Sequence, residues 1–239
     1  MDNFDIKLIE KYVPEKKQKK ALKKLQKGYP VQYIIGNVDF FGIEIDVNKN
    51  VLIPRFETEG LVDKLTKLIK QYSFNNPNIL DIGTGSGCIS IYLKKNLECN
   101  ITAIDKSKKA INLAKKNALK TNVIINFIHT SIEKYINDVK YDIIVSNPPY
   151  VSYSESVDKK IKYEPRLAIF SKNNGLYFYK IILQKSIRFL NKKNIIAFEI
   201  GQSQGESIKS MALKYYPNAI IKIEKDLNNK DRYIFIINE

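Results

Sequence analysis

Residues 78–88, Asn-Ile-Leu-Asp-Ile-Gly-Thr-Gly-Ser-Gly-Cys, limit more than any other stretch what this chain can fold into. An apolar run of strand length ends at Asp81-Ile82, glycines follow at 83, 85 and 87, and a helix-compatible segment begins at Cys88. A strand turning through glycines into a helix is the opening of a βαβ unit, and those glycines let the backbone approach a ligand closely. Downstream the rhythm repeats. Asn100–Asp105, Val123–Ile128 and Tyr141–Ser146 read as short strands, with a helix predicted over Lys108–Leu119. Such alternation predicts parallel strands joined by crossover helices.

Three later runs, Asn194–Ile200, Ala219–Glu224 and Arg232–Ile237, bring the strand count to seven. The last two are joined by a short non-helical link around Asp226–Lys230, which predicts an antiparallel pair. The expected fold is α/β and Rossmann-like: a seven-stranded, mostly parallel sheet with a C-terminal antiparallel strand pair. Ahead of it, Phe4–Lys27 has a basic helical pattern stopped by Gly28 and Pro30, and Val38–Ile53 reads as a β-hairpin with turns at Gly42 and Asn48-Lys49-Asn50. A helix over Gly60–Gln71 follows, with Thr58 and Glu59 as capping residues. The expected organisation is a short helical segment (1–30), a hairpin and linker (31–59) and the main domain (60–239).

Composition narrows the setting. The chain has 239 residues, 44% of them hydrophobic, enough for one main core and a small appendage. No apolar run approaches the roughly 18–20 residues of a membrane-spanning helix, and Met1–Glu10 lacks the pattern of a secretory signal, so a soluble, cytoplasmic protein is expected. Cys88 and Cys99 alone supply neither a disulfide framework nor a zinc set, and no metal is expected. The formal charge of +15 comes almost wholly from lysine. Together with many Ile and Asn residues, that fits an AT-rich genome as well as an anionic partner.

The glycine turn lacks the Gly-x-Gly-x-x-Gly spacing of dinucleotide enzymes, and Asp81 beside it would repel a phosphate. A phosphate-free cationic cofactor, S-adenosylmethionine, suits it better. The cofactor is expected against Asp81, Gly83, Thr84, Gly85, Ser86 and Gly87. Asp105 ends the next strand about twenty residues on, where a carboxylate accepts from ribose hydroxyls. Ile132, after Thr130 and Ser131, falls where an adenine ring would pack.

Asn147-Pro148-Pro149-Tyr150 closes the fourth strand of the alternating region. Paired prolines make an extended, rigid loop and remove two backbone donors. If the Asn147 side-chain oxygen and the Pro148 carbonyl each accept one N–H of a planar amide or amino group, its nitrogen is oriented for in-line methyl transfer, with Tyr150 as an apolar wall. The chemistry asks for positioning and a dry pocket, without a strong base.

Asp81–Gly87 paired with Asn147–Tyr150 resembles the motif pair of class I methyltransferases acting on nitrogen. Upstream, Pro30-Val31-Gln32-Tyr33-Ile34-Ile35-Gly36, Phe40-Phe41-Gly42 and Val51-Leu52-Ile53-Pro54-Arg55-Phe56-Glu57-Thr58-Glu59 are similar to the signature of release-factor glutamine methyltransferases, the PrmC/HemK family. Tyr163-Glu164-Pro165, Gly175-Leu176, Glu199-Ile200-Gly201, Gln204 and Lys225-Asp226-Leu227 with Asp231-Arg232 continue the match, which covers Gly28 to Ile237. The resemblance implies methylation of the glutamine amide in the Gly-Gly-Gln loop of peptide-chain release factors. It also implies cofactor contacts from Gly83–Gly87, Asp105, Ile132 and Asn147, and a glutamine held by Asn147, Pro148, Pro149 and Tyr150. Phe40, Arg55 and Glu57 are implied to line the substrate pocket.

Three departures stand out: a segment before Pro30 shorter than the family's helical domain, Phe56 in place of a second proline, and Ile132 in place of a bulkier aromatic. A monomer is expected, with a release factor as partner; direct nucleic-acid binding is compatible with the charge but not required. The alternatives are a nucleic-acid adenine-N6 or guanine-N2 methyltransferase, for which no segment is spare to grip flanking nucleotides, and a silent RNA- or ribosome-binding protein of the same fold.

Overall fold

The computed structural model describes residues 2–156 and 159–239. The basic N-terminal stretch is two helices rather than one, α1 (Asn3–Tyr12) and α2 (Glu15–Gln26). The reason is Pro14, whose ring cannot continue a helix; it stands instead as the N-cap of α2. With α3 (Val31–Ile35), the pair closes a small core of Ile9, Ala21, Leu25 and Val31. Lys16, Lys17, Lys19, Lys20, Lys23 and Lys24 are all exposed on α2. The hairpin pairs β1 (Asn37–Phe40) with β2 (Ile43–Asp46) and turns at Phe41-Gly42, both with positive φ. The next helix, α4 (Phe56–Gln71), begins four residues before the expected start, so Thr58 and Glu59 lie inside its first turn and do not cap it.

The remaining elements are β3 (Asn78–Ile82), α5 (Cys88–Asn96), β4 (Asn100–Asp105), α6 (Lys108–Lys120), β5 (Asn126–His129) and β6 (Tyr141–Ser146). After them come β7 (Val151–Ser152), β8 (Phe170–Ser171), α7 (Tyr177–Phe189), β9 (Leu190–Glu199), α8 (Gly205–Tyr215), β10 (Ile220–Lys225) and β11 (Asp231–Asn238). The main sheet has seven strands in the order β10-β11-β9-β6-β3-β4-β5. Neighbours from β9 through β5 are parallel, while β11 runs antiparallel to both β9 and β10.

Both faces of this sheet are covered, which is why its central strands read as near-continuous apolar runs. Along β6, Ile143 and Val145 join the core beneath α4 and α5, while Ile144 joins the core beneath α7 and α8. In β9, Ile195 and Ala197 face the first core and Ile196 and Phe198 the second, the two-residue alternation of a strand. The strand order reverses between β3 and β6. Loops leaving the carboxyl ends of these two neighbours therefore diverge and open a crevice, the place where such sheets bind ligands.

Candidate functional site

The glycine turn leaves β3 at that crevice. Gly83, Gly85 and Gly87 all have positive φ (76°, 57° and 85°), and a side chain at any of them would be strained. The N–H groups of Gly83 and Thr84 donate to the Ile104 carbonyl (2.9 and 3.1 Å), tying the turn to β4. Thr84 and Ser86, expected to contact the cofactor, are buried at 4% and 2% exposure. The Thr84 hydroxyl serves the turn itself: with Ser90 it donates to Oδ2 of Asp81, each at 2.6 Å.

Asp81 is fully buried, and its Oδ1 has no hydrogen-bond partner. Burial pushes its carboxyl up to about 6, against the pull of the two hydroxyls. An orphaned acceptor at a ligand-binding turn is where a donor-bearing, cationic group is favoured. Asp105 accepts from the Gly85 N–H (3.0 Å) and the Ser107 N–H (2.7 Å), which aims its carboxylate across the turn. Each carboxylate oxygen has a second lone pair, so hydroxyl donors still fit. Ser107, not Asp105, caps α6, its hydroxyl accepting from Ala110 N–H at 3.2 Å. The acceptors and the open glycine backbone suit S-adenosylmethionine, which carries an ammonium and ribose hydroxyls and no phosphate. Ile132 packs in the core beside Ile82 and Ile104 at 4% exposure.

The second wall is the loop after β6. Ser146 donates to the Ile82 carbonyl (2.7 Å), locking the ends of β6 and β3 side by side, so Asn147 emerges next to the glycine turn. The Asn147 amide donates from Nδ2 to the Thr58 hydroxyl (3.0 Å), which donates to Oε2 of Glu199 (2.7 Å). Tyr150 points its hydroxyl at Oε1 of Glu199 (3.4 Å) and receives a long contact from Arg232 (3.4 Å). Its carbonyl is held by Gln204 Nε2 (2.9 Å), while the Gly201 N–H donates to the other end of that amide (2.9 Å). Gly175 packs so closely on this carbonyl that a Cβ there would sit 1.9 Å from the Tyr150 oxygen.

Glu199 is 1% exposed, and desolvation raises its carboxyl to about 7, opposed by the Thr58 hydroxyl and the charge of Arg232. The network of Thr58, Glu199, Tyr150 and Arg232 joins residues from α4, β9, the proline loop and β11. Sequence reasoning reads Thr58 as a cap and Glu199 and Arg232 only as parts of a resemblance. An acid directly after the apolar run Ile195-Ile196-Ala197-Phe198 is the one local signal that singles out Glu199.

Phe40, expected in the substrate pocket, is buried at 1% and packs edge-on to Tyr92 in the core under α4 and α5; the exposed ring is its neighbour Phe41, at 43%. Arg55 is half-buried and pairs with Glu164, whose other oxygen accepts from the Ile53 N–H at 3.1 Å, so the pre-helix loop is pinned to the segment before Pro165. Glu57 lies in the first turn of α4, close enough for its negative charge to raise the Glu199 carboxyl. The concavity lined by Asn78, Asn100 and Asn126, the first residues of β3, β4 and β5, lies at the amino edge, away from these groups. Among the described residues, no group of three His, Cys, Asp or Glu could hold a metal ion, and no helix is long and apolar enough to cross a membrane.

Known proteins resemble this chain in sequence and in fold. The methyltransferase small domain family model matches residues 54–164, from the pre-helix loop past the proline loop. A release factor glutamine methyltransferase of Flavobacterium psychrophilum is 43% identical over 90% of this chain and 77% of its own. That of Enterococcus faecalis is 38% identical over 91% of this chain and 79% of its own. A methyltransferase crystal structure from Pyrococcus furiosus superposes with a TM-score of 0.62 at 18% identity, covering 82% of this chain and 89% of that one, a likeness of fold alone. With identity of this level across most of both chains, and with the glycine turn and the proline loop side by side at one crevice, the chain belongs to the release factor glutamine methyltransferase family.

Proposed function

We propose that this protein methylates the side-chain amide nitrogen of the glutamine in the Gly-Gly-Gln loop of a peptide-chain release factor, using S-adenosylmethionine. The observation that carries the reading is the orientation of Asn147: its Nδ2 is spent on Thr58, which leaves Oδ1 free to accept. An amide nitrogen is a poor nucleophile because its lone pair is delocalised into the carbonyl. With one N–H held by Asn147 Oδ1 and the other by the Pro148 carbonyl, the nitrogen is fixed in direction and gains electron density. Tyr150 and Pro149 form an apolar wall beside the amide. When bound, S-adenosylmethionine supplies a methyl group on a cationic sulfonium that departs as a neutral thioether. As the new N–C bond forms the nitrogen becomes acidic and sheds one proton to solvent, so no side-chain base is needed. Positioning of this kind supplies at best on the order of 7–11 kcal/mol of the barrier.

The cofactor is assigned to Asp81, the backbone of Gly83–Gly87, and Asp105, with Asn147 at its methyl end. Arg55 and Glu57 stand at the rim for the substrate. We further infer that residues 1–30, 31–59 and 60–239 work as helical appendage, hairpin linker and catalytic domain, and that the protein acts as a cytoplasmic monomer without needing nucleic acid. The test is transfer of labelled methyl to a purified release factor, beside the same factor with its loop glutamine changed to alanine and beside total RNA and DNA. Label on the intact factor alone is expected; label on nucleic acid would overturn the assignment.

A further inference from the structure

The proton inventory of the Asn147–Thr58–Glu199 chain has a directional consequence. Thr58 is 2% exposed and has one hydroxyl proton, placed on Glu199 Oε2 at 2.7 Å. An ionised carboxylate is acceptor-only, so the hydroxyl must donate to it and can offer Asn147 only a lone pair. Asn147 must then present its NH₂ to Thr58, as it does at 3.0 Å, and its oxygen to the crevice. Rotated by half a turn, the same side chain would present N–H groups to a substrate that itself offers only N–H there.

We propose that Thr58 and Glu199 are positioning residues that set the direction of the Asn147 amide, so that its oxygen rather than its nitrogen faces the substrate. This rests on the glutamine-amide reading above. Protonation of Glu199 removes the polarity of the relay: the carboxyl becomes a donor, and the Thr58 proton is released toward Asn147. The groups facing Glu199 are Glu57 on α4, Tyr150 on the proline loop, Tyr179 on α7, Arg232 and Tyr233 on β11, and Cys88 on α5. Burial drives the three tyrosines far above neutrality and the cysteine to about 12, and Arg232 stays charged. Between pH 6 and 8 the switching group of this cluster is therefore Glu199, with its carboxyl near 7.

The test uses the full chain with a purified release factor, kcat and KM measured from about pH 5.5 to 9, and S-adenosylmethionine affinity measured separately by calorimetry. Thr58→Ser keeps the hydroxyl and is expected within about threefold of wild type. Thr58→Val and Glu199→Gln are expected to lose kcat by on the order of tenfold to a hundredfold, the scale of a misdirected reactant, with cofactor affinity little changed. The double variant is expected to be no worse than the poorer single one, because both cut one chain. The wild-type fall in rate on the acid side, centred near pH 7, should vanish in Glu199→Gln. Wild-type kcat in Thr58→Val, an acid limb retained in Glu199→Gln, or loss of cofactor binding and cooperative unfolding in both would overturn the relay. Absence of label on the factor with wild-type enzyme would instead overturn the glutamine-amide reading, and the relay with it.

Discussion

Replacing Gly175 by alanine tests whether the proline loop must be held from behind. Gly175 has φ +83°, and its absent Cβ would lie 1.9 Å from the Tyr150 carbonyl oxygen and 2.4 Å from Gln204 Nε2. Real Cβ contacts essentially never fall below 3.0 Å, so the Tyr150 carbonyl must retreat by about 1 Å, and it is backbone rather than a flexible tip. The left-handed conformation costs an alanine about 1–2 kcal/mol. Losing the Gln204 bond to that carbonyl costs about 0.5–1.5 kcal/mol more. The larger effect falls on activity: a displacement of about 1 Å beside the reacting amide is worth about a hundredfold in rate. Gly28→Ala is the matched control, since Gly28 has φ +79° with nothing within 4 Å of its would-be Cβ. It should pay the conformational cost alone and keep its activity. The assay is kcat/KM for methyl transfer to the release factor, with urea unfolding of each variant. Gly175→Ala at near wild-type kcat/KM would refute the reasoning, because the loop could then move 1 Å without consequence.

Other changes separate the cofactor wall from the scaffold. Asp105→Ala removes the acceptor that also holds the Gly85 N–H, and should weaken S-adenosylmethionine binding by about tenfold to a hundredfold in calorimetry, the value of a hydrogen bond to a charged group. Glu164→Ala strips both Arg55 and the buried Ile53 N–H of their acceptor; because Arg55 is partly solvated, the loss should be about 1–3 kcal/mol in urea unfolding. The pH dependence of stability should run opposite to ordinary acid denaturation near neutrality. Asp81 and Glu199 have carboxyls raised in the folded state to about 6 and about 7, so the native protein binds more protons than the unfolded chain between about pH 4 and 7. Their contribution is complete below the ordinary carboxylate range and is lost as pH rises through 6 and 7. The urea midpoint should fall between pH 5 and 8, with a shallower fall in Glu199→Gln.

The elements that could be read from sequence are those whose signal is local. The strand, the glycine turn and the helix at Asn78–Asn96 lie contiguous in the chain, and the Asp226–Lys230 link is short enough to demand an antiparallel pair. The two-helix break at Pro14 is equally local, but lysines on both sides give the stretch one continuous charge pattern that masks it. The hairpin misleads for a different reason. Phe40 and Phe41 are adjacent, and in a strand of four residues a shift of one register position exchanges the inward ring for the outward one. Both rings lie against Tyr92, so what decides that Phe40 goes in is its place in the core with Ile45, Val47 and Leu61.

Thr58 and Glu199 lie 141 positions apart, and no periodicity connects them. A threonine just before an apolar helical stretch is indistinguishable, by pattern, from a helix cap, because both roles use the same hydroxyl as a short-range partner. Its actual role follows from where α4 begins: with Phe56 as the first helical residue, position 58 faces the sheet, and the acid waiting there is the last residue of β9. That acid stays buried without a formal ion pair because hydroxyls from Thr58 and Tyr150 and the nearby charge of Arg232 share its desolvation cost. An apolar residue of equal size would pack there more cheaply. The stability forgone at this position is therefore best explained by what the carboxylate does to the next group along the chain, the amide of Asn147.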